Sequence, residues 1–581
     1  MFDGIHFKTI WGSLCHIFLS GNKIHMLWAG GILLLMLILA ILHHRWRDSY
    51  GRQMLIWRLL CLLPAAAAGA HYYLYLRGLP AEAIMMFAPL YAAAVFALIP
   101  VPFAKVQRGF GFVCFLTGLL SVLSLSYFTL SSPHLYNYTD KSFVESYHAF
   151  VDTMDKTYVL KDWKEADFKE LEKKYLPLVE EADKTGDKAK FASAVEGFCN
   201  ELHDGHVEVE SSDEKGAVTI GDYGFGMVKL DDDTVIAVCT AKEANDLGIK
   251  DGTVMTKWDG KPILEAAEEV EDMGIPVKSN FDKMAVMKLA CADRIMVDVS
   301  FLDDNGEEQT VSIYNLIDKA EDLKEHHAFK DTLDAFSGIT FIDENEDIEK
   351  LNFSTKMLDK KCGYIQVLAE GTESNIHDIA GYLNGDHKWA REMFRKKLRG
   401  LKDDGMEYLV IDLRNNMGGN DEVGFALVDL LTDEPMFGLN IGIRSGKEYK
   451  PLSDHGIKGD GEFKDLKVIA LTNFNCGSAG DSLAEALGKL PNVTLAGITD
   501  PAGCNQEVGG MVVLSGGDIV VHYPTGLVLN EKNEVNIDIK ADRISRDPVE
   551  KRIPLDRDAA MKLFRDKEDY ELDWAVKQLE G

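Results

Sequence analysis

The sequence predicts a multi-domain protein: four N-terminal transmembrane helices, then a small helical segment, a β-rich unit and an α/β core. Three observations predict it: four successive apolar runs before residue 131, a change in charge balance at that point, and two strand, glycine-loop and helix units towards the C-terminus. At 581 residues the chain is also too long for one core, and about 150 residues per domain predicts roughly four units.

Residues 24–42 (IHMLWAGGILLLMLILAIL), 54–76, 83–103 and 110–130 are the apolar runs. Each is near the ~20 residues that a helix needs to cross ~30 Å of hydrocarbon. A cleaved signal peptide would be one short apolar run with a small-residue cleavage site, which four successive runs do not match. Arg58 lies near the end of its run, where its side chain can snorkel to the interface. Arg45, Arg47 and Arg52 follow the first run, Lys105 and Arg108 the third, whereas the second loop holds Arg77 and Glu82. Basic loops favour the cytoplasm, so the N-terminus and everything after residue 131 are expected outside, with Lys8 and Lys23 opposing the rule slightly. The expectation is a multi-pass protein of the cell membrane, with the bilayer as a partner and the soluble part extracytoplasmic.

Residues 1–131 hold nine Lys/Arg and three Asp/Glu, so residues 132–581 carry −37 of a net −31. So acidic a surface is repelled by nucleic acid, and no nucleic-acid partner is expected. Of nine cysteines, Cys15, Cys61 and Cys114 lie in the apolar part and six are scattered beyond it. No CxxC pair, HExxH or Walker pattern occurs, so neither metal nor cofactor is expected. The scattered cysteines read as buried free thiols, with Cys476 and Cys504 the pair to examine for a disulfide.

The soluble part divides by periodicity. Residues 140–210 alternate apolar and charged positions at helical spacing and end in LHDGHVEVE, where a helix gives way to a strand at Asp204-Gly205. Residues 217–316 break into short β segments around Tyr223-Gly224-Phe225-Gly226. Residues 317–350 are a charged connector. Residues 350–548 alternate continuous apolar strands with helices, the pattern of a buried α/β sheet. Residues 549–581 read as amphipathic helices packed on that core.

Two units of the core share one design. EYLVIDLRNNMGGNDEVGFALVDLL and LKVIALTNFNCGSAGDSLAEALGKL are each strand, glycine loop and helix. Ser478 opens the second helix. A serine there is commonly an N-cap, but Gly477 before it and Ala479 and Gly480 after it also leave its hydroxyl exposed at a rigid turn, as a nucleophile requires. The Ala479 N–H, with that of Gly418 or Gly419, then supplies candidate oxyanion donors. The loop lacks the GxxxxGK[ST] pattern of a phosphate cradle.

LVIDLRNNMGGN followed by TNFNCGSAGDSLAEAL resembles the C-terminal processing, or tail-specific, serine peptidases, over about residues 140–548. The resemblance implies a crotonase-like α/β peptidase core, Ser478 as nucleophile, Ala479 and Gly418 or Gly419 as oxyanion donors, and unfolded or C-terminally presented polypeptides as substrates. Residues 217–316 resemble a PDZ domain, which implies peptide binding at Tyr223, Gly224, Phe225 and Gly226, with a terminal carboxylate held by backbone amides.

One branch of the family activates its serine with a lysine about twenty-five residues later. Here GITDPAGCNQEVGG occupies that place, with Ala502 and Gly503 near the expected position and no lysine from Val493 to Ile519. DGH at 204–206 is instead similar to the tricorn-core and retinoid-binding-protein-like branch, which implies His206 as general base, a role imidazole suits at neutral pH. His203 and His522 are the alternatives. That branch places a serine before the histidine, where this chain has Gly205, and a late glutamate, for which Glu534 is the candidate and Asp538 its rival. Asp481 reads as a holder of loops and Ser482 as the second candidate nucleophile. The alternative function is a catalytically inactive peptidase homologue acting as a PDZ peptide-binding or ligand-binding membrane module.

Overall fold

The computed structural model describes residues 8–12, 15, 23–46, 51–96, 134–211, 221–271, 273–316, 328–341, 351–372, 375–445 and 448–581. Among these, two helices are long and apolar enough to cross a membrane, Lys23–Trp46 and Leu55–Leu76. These are the first two of the four expected runs; the described part of the third is not one continuous helix. The third run is divided into Ala81–Met85 and Ala88–Phe96, a break that Pro89 explains: it lacks an N–H and its ring crowds the carbonyl four residues earlier. The remainder of that run and all of 110–130 lie outside the described residues.

The ends of the two long helices at Lys23 and Leu76 meet the strand His134–Asn137, which opens the soluble part. Asn137 Nδ2 donates to the carbonyls of Tyr75 and Arg77, at 3.0 Å each. His25 Nε2 lies 3.4 Å from the Leu135 carbonyl, His25 Nδ1 2.9 Å from His71 Nε2, and His71 Nδ1 2.8 Å from the Tyr91 hydroxyl. Since a carbonyl only accepts, the donors of this chain run from the Tyr91 O–H through the N–H of each imidazole to the Leu135 carbonyl. Arg45 and Arg52 sit at the opposite end of the helices.

Three helices follow, Phe143–Thr157, Phe168–Thr185 and Lys188–Asn200. Each begins where a side chain caps the first turn: Ser142 in a capping box with Glu145, then Asp167 and Asp187. Both ends of this segment are stitched to a distant hairpin of the core. His134–Asn137 pairs in parallel with Val508–Val513, and Glu208–Ser211 pairs antiparallel with Ile519–Pro524. The second pairing fixes the position of His206, two residues before its strand.

Residues 221–316 contain a hairpin, Gly226–Lys229 with Val235–Val238, and a sheet ordered Lys261–Pro262, Met255–Trp258, Met296–Leu302, Glu308–Tyr314. The core is a six-stranded sheet: Lys551–Arg552, Val493–Gly497, Lys467–Leu471, Tyr408–Asp412, Cys362–Gln366, Thr355–Met357. All its pairings are parallel except the last. The inner strands are buried on both faces, as their uninterrupted apolar runs require.

The C-terminal helix Tyr570–Glu580 packs on this sheet and holds the root of the glycine loop through charge. Buried Arg414 donates to Asp412 (2.7 and 3.0 Å), to Asp569 (2.7 and 2.8 Å) and to Glu571 (3.3 Å). Removing one partner of such a cluster strands the others in low dielectric. Arg414→Ala is therefore expected to destabilise the protein by about 3–5 kcal/mol, read by guanidinium unfolding of the full chain in detergent; a loss under about 1 kcal/mol would contradict this account of the cluster.

Candidate active site

Strands Tyr408–Asp412 and Lys467–Leu471 lie side by side with Asp412 opposite Leu471, so the loops that leave their C-terminal ends converge. The second loop reaches Ser478, the residue preceding helix Ala479–Gly488, at φ 59° and ψ −130°. A non-glycine residue in that conformation is strained and persists only where its surroundings hold it. Here the Ser478 N–H donates to the Cys504 carbonyl at 2.7 Å and the Gly477 N–H to the Asn416 carbonyl at 3.0 Å. The Ser478 side chain makes no capping hydrogen bond, so its hydroxyl is not used as a cap.

The glycine loop lies directly against it. Gly418 has φ 79°, and a Cβ there would strike Ser478 Cβ and lie 2.8 Å from the Ala479 nitrogen. The Gly418 N–H is taken by Asn416 Oδ1 at 2.8 Å. Among the described residues, the N–H groups of Gly419 and Ala479 have no acceptor.

Gly205 and Gly477, the residues immediately before His206 and Ser478, both face Cys504: Cβ atoms built on them would lie 2.8 and 3.2 Å from its Sγ. The His206 N–H donates to Asp204 Oδ1 at 2.9 Å, and the Tyr158 hydroxyl donates to Asp204 Oδ2 at 2.7 Å. His206 Nδ1 is buried without a hydrogen-bond partner, while the residue as a whole is half-buried. Burial pushes its pKa below the ordinary 6.5, opposed by Asp204 and reinforced by Lys164, so the imidazole is neutral at pH 7. Of the alternatives, His203 offers its carbonyl to Lys164 Nζ at 2.7 Å, and His522 faces Glu210 at 3.7 Å across two strands.

The acid residues are placed differently from the family-based expectation. Glu534 is exposed in the turn 530–534, where Asn530 Oδ1 receives the N–H groups of Lys532 and Glu534; its carboxylate stays in water and does not enter the buried cluster. Asp538 is fully buried. Its Oδ2 accepts from the Asn505 N–H and from Gln506 Nε2, and its Oδ1 has no partner. Burial, then the charge of Asp204, pushes Asp538 up to about 7. Ser482 is buried, away from any approaching substrate.

Ala502 packs against Gly477, with 3.2 Å between its Cβ and a Cβ built there, so the position nearest the absent lysine touches the turn before Ser478 with a methyl group. Cys476 and Cys504 are free buried thiols, in line with the reading of the scattered cysteines, and form no disulfide. In the Tyr223-Gly224-Phe225-Gly226 loop both aromatic side chains are buried, and the Gly224 N–H already donates to the chain's own Asp222 Oδ1 at 2.7 Å. A Cβ built at Gly226 would meet Thr332 of the helix Ala328–Ser337. The expected carboxylate receptor thus holds an internal carboxylate, beside a helix of the same chain. Among the described residues no group of three or more His, Cys, Asp and Glu is placed to hold a metal.

Asp481 ties the helix Ala479–Gly488 to the 503–504 backbone, accepting from the Gly503 N–H at 3.3 Å and the Cys504 N–H at 2.9 Å. Burial pushes it up to about 8, and neighbouring Asp547 is raised by burial and by Asp481. A carboxyl that holds its proton more tightly folded than unfolded stabilises at low pH, and that stability is lost as pH rises through the folded value. The contribution of this group to the melting temperature is expected to fall as pH rises from about 4 to about 8 and to level off above that. Asp481→Asn, which cannot ionise, is expected to melt lower at pH 6 but to show a flatter decline; parallel profiles would contradict the assignment.

Residues 361–543 match peptidase family S41. A comparison with curated proteins finds no match. Among solved structures, mature CPAF aligns at 14% identity with a TM-score of 0.52, over 75% of this chain and 97% of its own. Mature CPAF complexed with lactacystin aligns at 14% identity with a TM-score of 0.50, over 75% and 98%. The photosystem II D1 C-terminal processing protease aligns at 16% identity over 71% and 94%, with a TM-score of 0.31. At 14% identity the likeness to mature CPAF is one of fold. Residues 361–543 are a peptidase family S41 domain, that of a serine-type peptidase.

Proposed function

We propose that the protein is a membrane-anchored extracytoplasmic serine endopeptidase of the tail-specific type, hydrolysing peptide bonds of unfolded or C-terminally presented polypeptides. One observation carries this reading: a strained, uncapped Ser478 lies against a glycine loop, with the Ala479 and Gly419 amides unoccupied. The two long apolar helices support the anchoring, and the acidic balance of the part that follows them is compatible with export.

In this mechanism neutral His206 takes the Ser478 proton as Oγ attacks the scissile carbonyl carbon. The Ala479 and Gly419 N–H groups receive the oxyanion. The imidazolium returns the proton to the leaving amine, and the C–N bond breaks to leave an acyl-enzyme. Water, deprotonated by the same imidazole, then cleaves the ester and restores Ser478. Asp538 is the orienting acid: its unpartnered Oδ1 complements the unpartnered His206 Nδ1, and such contacts commonly tighten only around substrate. Residues 221–316 act as a PDZ-like module whose receptor loop is internally occupied until substrate displaces Asp222.

The test is incubation of the full chain in detergent with an unstructured polypeptide, following new termini by mass spectrometry. Ser478→Ala is expected to abolish cleavage and His206→Ala to slow it by about 10²-fold or more. The kcat/KM of the wild type is expected to fall with an acid limb centred below 6.5, because protonation removes the base. Equal cleavage by wild type and Ser478→Ala, or by neither, would contradict the reading.

A further inference from the structure

Glu370 follows the strand Cys362–Gln366 and is 1% exposed, with no motif around it in VLAEGTES. Its backbone pairs with the glycine loop: its N–H donates to the Gly418 carbonyl at 2.8 Å, and its carbonyl receives the Asn420 N–H at 2.7 Å. Bonds from the residues on either side of Gly419 therefore leave the Gly419 N–H itself uncommitted. A Cβ built at Gly419, where φ is 143°, would lie 2.8 Å from the Glu370 carbonyl carbon, so the close approach needs glycine.

The Glu370 side chain acts through Asn416, which is wholly buried. Asn416 Nδ2 donates to Glu370 Oε1 at 2.7 Å, which turns the amide so that its Oδ1 faces the loop and receives the Gly418 N–H at 2.8 Å. The Asn416 carbonyl accepts the Gly477 N–H at 3.0 Å. Helix residue Gly480 packs on the same amide, where a Cβ would stand 2.9 Å from Asn416 Cγ. One asparagine thus joins the oxyanion loop to the nucleophile turn, and one buried carboxyl sets which way that asparagine points.

We propose that Glu370 is a positioning residue that, through Asn416, withdraws the Gly418 N–H from the site and leaves the Gly419 N–H aimed at the developing oxyanion. The proposal rests on the peptidase reading of Ser478. Glu370 Oε2 has no hydrogen-bond partner among the described residues, and burial pushes the group up to about 8, so it works as a neutral acid. Glutamine reproduces its shape, charge and the acceptor that Asn416 needs. Alanine leaves the Asn416 amide free to turn over.

The test combines kinetics with single-amide hydrogen exchange on the full chain in detergent. Glu370→Ala is expected to lower kcat about tenfold to a hundredfold, with KM changed by less than about threefold, because an oxyanion donor acts in the transition state. Glu370→Gln is expected to recover most of that loss. In the wild type the Gly418 amide is expected to be protected and the Gly419 amide to exchange faster, with Gly418 protection falling about tenfold or more in Glu370→Ala. Equal protection of the two glycines in the wild type, unaltered kcat and exchange in Glu370→Ala, or no recovery in Glu370→Gln would overturn the proposal. Exchange requires no catalysis, so an inactive wild type would count against the peptidase reading while the Gly418 and Gly419 pattern still decides this one.

Discussion

The register of one strand pair underlies the site. Tyr408–Asp412 and Lys467–Leu471 run parallel with Asp412 beside Leu471, and parallel neighbours release their chains from the same edge of the sheet. The glycine loop and the turn at Ser478 are therefore adjacent before any side chain contributes. Their contact, with Gly418 against Ser478, then requires glycine on one side and strained serine on the other. Arg414 and the C-terminal helix fix the root of the first loop, while Asp481 fixes the second to the 503–504 backbone.

The candidate base comes from elsewhere in the chain, and its position depends on a second sheet. Strand Glu208–Ser211 is held by Ile519–Pro524, and Cys504 fills the space between Gly205 and Gly477. The same sheet continues through Val508–Val513 to His134–Asn137, which is bonded to the apolar helices. Apolar contact between the sheet and those helices involves Leu135, Met511, Val513 and Val520. Cutting the chain at residue 132 would expose that face, which is why the full chain is the proper material for measurement.

Much of this was legible in the sequence because it rests on local chemistry. Uninterrupted apolar runs marked the buried strands, helical periodicity marked the segment before His206, and Ser478 with Gly418 and Gly419 marked the converging loops. What escaped depends on distant contacts. Glu534 and Asp538 are equivalent acids in the sequence, and only the tight turn at Asn530 separates an exposed one from a buried one. Glu370 and Asn416 carry no motif of their own, although Asn416 lies inside NNMGG. The apolar run 83–103 looked continuous because hydropathy does not register the missing N–H of Pro89. In the Tyr223–Gly226 loop the Gly224 N–H is taken by Asp222, one residue before the loop, a contact that the pattern of the loop does not announce.

The central claim is that Ser478 is an activated nucleophile and not a helix cap. Its most direct test is the mass of the full chain after treatment with a fluorophosphonate, which esterifies activated serines, followed by peptide mapping. The account predicts one adduct, on the peptide containing Ser478, lost in Ser478→Ala and slowed in His206→Ala. No adduct in the folded wild type, or one that persists in Ser478→Ala, would contradict it.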